Sequence, residues 1–135
     1  MAATLEISRP DLAAHEFAMR AQVETVVGEL RRLLGARLVA YLASVQETRA
    51  VHEWAEGKRQ PREATERRLR FALQVARTLA DAESAEVTQA WFQGLNPQLD
   101  DQSPARLLRD GDLDEVGPGI TSAARAFLAG GCCAE

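Results

Sequence analysis

An all-α fold, a helix-turn-helix bundle followed by a small helical lobe, is predicted by three features of this 135-residue sequence. Ala, Leu, Arg and Glu dominate while aromatics are only 5%, a composition that favours helices. Apolar residues recur at the 3.6-residue period in several separate stretches. Glycines, prolines and serines stand where helices need to stop and start.

Taken in order, residues 1–9 show no periodicity and read as a loose start. A long helix is expected from Pro10, which suits a first helical turn, to about Leu34. Its buried stripe would be Met19, Val23, Val26, Val27, Leu30, Leu33 and Leu34, before Gly35 ends it. Arg37 to Ala43 follows as a short helix with Leu38, Val39 and Leu42 on one stripe. The polar break Ser44 to Glu47 separates it from a second short helix, Thr48 to Glu56, pinned by Val51 and Trp54. Gly57 suits the left-handed position past a helix end, and Pro61 the first turn of the next helix. Two short helices, a tight turn and a basic exit (Lys58, Arg59, Arg62) are the parts of a helix-turn-helix.

From Pro61 to about Asp81 a further helix buries Leu69, Ala72, Leu73, Ala76 and Leu79. Arg62, Arg67, Arg68 and Arg70 crowd its first half, against the helix dipole. Phosphate contact and a salt-bridged exposed face both account for them. Ser84 to Phe92 suggests a helix with Val87, Ala90 and Trp91 inward. The loop Gly94 to Pro104 is dense in turn residues but keeps Leu95 and Leu99. Ser103 then caps a short helix that runs from Pro104 through Leu107 and Leu108 to Gly111. Asp112 opens a last helical region, which Gly117-Pro118-Gly119 is expected to interrupt. Ile120, Ala123, Ala124, Phe127 and Leu128 resume it before Gly130-Gly131 releases the tail. The expected division is 10–82, 83–130 and a tail, 131–135.

The net charge of −4 hides a polarity. Residues 35–70 hold eight Lys/Arg against five Glu, whereas residues 80–135 hold three Arg against ten acids. The first balance suits phosphate, and the second suits a basic or neutral partner. No apolar run approaches the ~18–20 residues that span a bilayer. The opening residues lack a basic-then-apolar signal, so a cytoplasmic protein is expected. Cys132 and Cys133 are the only cysteines and read as part of a solvated tail, not a disulfide or metal site. With two histidines and no catalytic triad or ligand cluster, neither enzyme activity nor a cofactor is expected.

Trp54, Gly57 and Pro61 form a Trp-x-x-Gly pattern with a following proline, which resembles the Xre-type helix-turn-helix. The DNA-binding residues expected from that motif are Thr48, Arg49 and His52 toward bases, and Lys58, Arg59 and Arg62 toward phosphates. Glu47 and Glu53 oppose phosphate on the same helix, so a helix-turn-helix kept only for dimerisation is the alternative. A second, longer pattern comprises Trp91, Asn96-Pro97, Leu99, Ser103-Pro104, Leu107-Leu108, Ala124-Arg125-Ala126-Phe127 and Gly130. In order and spacing it resembles the toxin-binding domain of the Xre/MbcA/ParS antitoxin family.

That resemblance implies an antitoxin that binds a RES-domain, NAD-consuming toxin and represses its own operon. The partners it implies are the toxin, operator DNA, and a second copy in a homodimer or a larger assembly with toxin. The toxin-binding residues it implies are Trp91, Leu95, Asn96, Pro97, Leu99, Pro104, Leu107, Leu108, Phe127, Leu128 and Gly130. A transcriptional regulator without a toxin, its acidic lobe serving dimerisation or sensing, is the competing expectation.

Overall fold

The computed structural model describes residues 10–130; residues 1–9, expected to be a loose start, and the expected tail with Cys132 and Cys133 lie outside the described residues. The fold is all-α: eight α-helices and one 3-10 turn, with no strand among the described residues. They are α1 Pro10–Arg20, α2 Val23–Leu34, α3 Ala36–Leu42, α4 Thr48–Ala55, α5 Glu63–Ala80, α6 Ala85–Gln93, the 3-10 turn Pro97–Leu99, α7 Pro104–Asp110 and α8 Leu113–Gly130.

The long first helix expected from periodicity is two helices. Gln22 is extended (φ −67°, ψ 154°) and ends the continuity. One Nη of Arg70 on α5 donates to the Ala18 and Ala21 carbonyls at 2.8 and 2.7 Å, satisfying the free C-terminal end of α1. A guanidinium there also complements the helix dipole. This packing turns Ala14 and Ala18 inward, so Met19, expected on the buried stripe, is 59% exposed.

The two short helices are held by their ends. At α3, Ser44 (φ 60°) occupies the left-handed position, with Ser44 N–H donating to Tyr41 and Val45 N–H to Ala40. Gly57 (φ 76°) does the same at α4, where Gly57 and Lys58 N–H bond the Trp54 and Glu53 carbonyls. The spacing Trp54 to Gly57 is therefore a capping geometry. Pro61 is buried ahead of the next helix and does not open it, because α5 starts at Glu63. That start places Glu63 and Glu66 in the first turn, where their charge complements the dipole.

Two further differences lie downstream. On α6, Thr88 is buried and Ala90, expected inward, is exposed. Thr88 tolerates burial because its hydroxyl donates to the Ser84 carbonyl at 2.9 Å. Helix α8 runs unbroken through Pro118, which was expected to interrupt it. Pro118 is exposed, so the Asp114 carbonyl that loses its helical donor lies on the wet side. On the opposite side Gly117, Ile120, Ala123 and Ala124 are buried and keep the helix seated.

Among the described residues the core is one cluster. Val27 and Leu30 of α2, Val39 of α3, Trp54 of α4, Leu69 and Leu73 of α5, Phe92 of α6, Leu108 of α7 and Ile120 of α8 belong to a single cluster. The expected boundary at 82/83 falls in the turn between α5 and α6, and the core passes across it.

Candidate functional site

The segment after α6 is built to hold an irregular loop still. Gly94 ends α6 by donating to the Ala90 carbonyl. Asn96 Oδ1 accepts from Gln98 N–H at 2.9 Å, and Pro97 presets the first residue of the 3-10 turn. Asn96 N–H donates to Gln102 at 3.1 Å, while the Asn96 carbonyl accepts from Leu99 and Asp101 N–H, both at 2.9 Å. Asp100 and Asp101 take left-handed conformations (φ 56° and 61°), which aspartate tolerates better than most residues. Leu99 points inward and anchors the loop, and Ser103 Oγ accepts from Arg106 N–H to start α7.

This clipped loop faces the last turns of α8 across a groove of about 370 Å³. Trp91, Leu95, Asn96, Pro97 and Phe127 line it, five of the residues expected to meet a partner. Leu95 is 75% exposed, while Trp91 is 8% exposed and packs edge-on to Phe92 at 5.3 Å. Such a wall of buried aromatic beside an exposed aliphatic side chain suits apolar docking. Leu99, Pro104 and Leu108, also expected to meet a partner, are buried in the unbound chain and stand outside the groove. Leu107 and Leu128 are half-buried and Gly130 is exposed, all three outside the groove. Gln98, Ala123 and Ala126 also line the groove, within the loop from Leu95 to Ser103 and the helix from Ile120 to Leu128 that were expected to meet a partner, though not singled out as contact residues. Ala123, Ala126 and Phe127 share one helical face at i, i+3 and i+4, a spacing that could have revealed the two alanines.

Of the six residues expected at DNA, five are exposed. Arg49, His52, Lys58, Arg59 and Arg62 are exposed, and Thr48 is half-buried at the start of α4. Glu53 lies among them, bonded by Arg49 Nε at 3.1 Å and by Arg59 Nη1 at 3.3 Å. The hydrogen bond from Arg49, then that from Arg59, holds the Glu53 carboxyl below its ordinary value. Lys58 pairs with Glu56 at 3.2 Å, and Arg31 of α2 donates to His52 Nδ1 at 2.8 Å. Arginine cannot accept, so this bond leaves the neutral imidazole its proton on Nε2. The arginines farther along α5 do structural work: Arg70 caps α1, and Arg67 pairs with Asp114 of α8 at 3.1 Å. Among the described residues no cluster of three or more His, Cys, Asp or Glu could hold a metal ion, and no helix is long and apolar enough to cross a membrane.

No family model and no curated protein matches the chain. Among solved structures it is similar to a chain in the M. tuberculosis MbcT-MbcA toxin-antitoxin complex. The TM-score is 0.62 at 28% identity, over 79% of this chain and 96% of that one.

Proposed function

We propose that this chain is an antitoxin that neutralises a protein toxin by direct binding through the groove between the 94–103 loop and the end of α8. The observation that carries the reading is Leu95, held three-quarters exposed on a hydrogen-bonded loop beside Trp91 and Phe127. A rigid, apolar, pre-shaped edge loses little entropy on docking, so its contact area converts efficiently into affinity. The similarity to a chain of a toxin-antitoxin complex supports the same reading. The sequence pattern from Trp91 to Gly130 extends it to a RES-domain toxin that consumes NAD, with neutralisation by binding and no catalysis by this chain.

Autorepression is the second part of the proposal. The exposed Arg49, His52, Lys58, Arg59 and Arg62 would face operator DNA, with phosphates displacing Glu53 from its two arginines. The test is co-expression with the product of the neighbouring gene. Rescue of growth and co-purification are expected, together with salt-dependent binding of the complex to its own upstream DNA. Indifference to the neighbour combined with DNA binding would favour a regulator without a toxin.

A further inference from the structure

Arg31 stands in the last turn of α2 and is not among the residues expected at DNA. Its backbone is fixed, since its carbonyl accepts from Gly35 N–H at 2.9 Å where the helix ends. Its side chain is half-buried and crosses to α4, where Nη1 donates to His52 Nδ1 at 2.8 Å. The arginines on either side pair with carboxylates, Arg32 with Glu29 and both Arg49 and Arg59 with Glu53. Arg31 instead holds a ring nitrogen. A guanidinium has donors only, so Nδ1 is the acceptor and the ring proton sits on Nε2. Nε2 has no hydrogen-bond partner among the described residues. The exposed ring lies one turn from Thr48 and Arg49, on the same stripe of α4.

We propose that Arg31 is a positioning residue for base readout, holding the His52 ring by Nδ1 so that Nε2–H meets an acceptor on a base edge. The inference rests on the operator reading of the α4 face. In the major groove guanine offers two acceptors, N7 and O6, whereas cytosine offers only an amino donor. A ring with Nε2–H donates to the first and has nothing to accept with from the second. The same ring with its proton on Nδ1 would accept from cytosine, so the side of the proton decides which base is read. The bond also fixes the orientation of the ring before DNA arrives, which lowers the ordering cost of binding. His52 thus selects guanine over cytosine on the strand it faces, through a residue on another helix that does not touch the base.

The test starts from sites that the full chain selects out of a random duplex pool, then measures binding to duplexes changed at single base pairs. His52→Ala should lose about five- to tenfold of preference at one G·C pair. Arg31→Met should lose the same preference at the same pair, and the double variant should lose no more than either alone. A phosphate contact behaves differently: Arg59→Met should weaken every duplex alike and keep the preference. Circular dichroism and melting temperature confirm that each variant is folded. An Arg31→Met protein that keeps the preference overturns the proposal and leaves the operator reading standing. So does loss at no pair in His52→Ala, or at a different pair in Arg31→Met. Wild-type protein without salt-dependent binding to any duplex ends both. A last readout needs no DNA: heteronuclear NMR of the imidazole at mildly alkaline pH should place the His52 proton on Nε2, and a proton on Nδ1 overturns the proposal.

Discussion

Trp54 is a large buried ring inside the cluster that also holds Val39 and Leu69. Trp54→Ala should destabilise the protein by about 3–5 kcal/mol in urea unfolding, the range for truncating a buried aromatic. Glu29 acts through charge. The hydrogen bond from Arg32 holds its carboxyl below the ordinary 4.5, helped by the charges of Arg32 and Arg77 and opposed by partial burial. A carboxyl depressed in the folded state adds stability that is present above pH 4.5 and lost as the pH falls through the lower folded value. The melting temperature should therefore be flat near neutrality and fall below pH 4.5, and Glu29→Gln should shallow that fall. An acid limb of unchanged steepness would remove Glu29 from the account. At this scale the sequence was informative where partners are close in the chain. Trp54, Gly57 and Ser103 could be assigned, since a cap or a buried stripe depends on residues three or four away. Arg70 could not, because the carbonyls it caps lie 52 and 49 residues earlier.

Elements show the same division between near and far causes. The helix starts at Ser84, Ser103 and Asp112 were legible because their side chains bond N–H groups two or three residues on. The break between α1 and α2 was not, since apolar periodicity continues through it and Arg70 supplies the reason to stop. Arg70→Met keeps the aliphatic stem but removes two charge-assisted bonds to backbone carbonyls and the ion pair with Glu66 at 2.8 Å. It should cost about 2–4 kcal/mol and increase amide exchange at the end of α1. Helix α8 failed the other way. A proline flanked by glycines reads as a break, but burial of the opposite face keeps the helix whole. Pro118→Ala restores a donor to the Asp114 carbonyl at an exposed position and should stabilise the protein by about 1–3 kcal/mol. A loss of stability would show that the proline is needed for the path of α8.

At the scale of the molecule, the exposed basic residues around α4 and the groove beside α8 rest on one shared core among the described residues. The polarity of charge along the chain and the residues of the loop could be read in advance. Which leucines face out could not, because Leu95, Leu99, Leu107 and Leu108 are chemically alike and only the packed structure sorts them. That shared core also makes deletion of the C-terminal segment a poor probe, since Ile120 belongs to the same cluster as Leu69 and Leu73 of α5 and Gly117 lies beside Phe71. A single exposed residue is the cleaner instrument. Leu95→Asp should leave the melting temperature within about 2 °C, as a substitution at a solvent-facing loop position. Beside the apolar groove the new carboxylate should cost a docked partner about 2 kcal/mol or more, roughly thirtyfold in affinity. The decisive measurement is titration of purified wild-type and Leu95→Asp protein against the neighbouring gene's product, with growth rescue scored in parallel. Loss of binding and of rescue by a fully folded variant is the predicted result, and a folded Leu95→Asp protein that binds and protects like wild type would contradict the account.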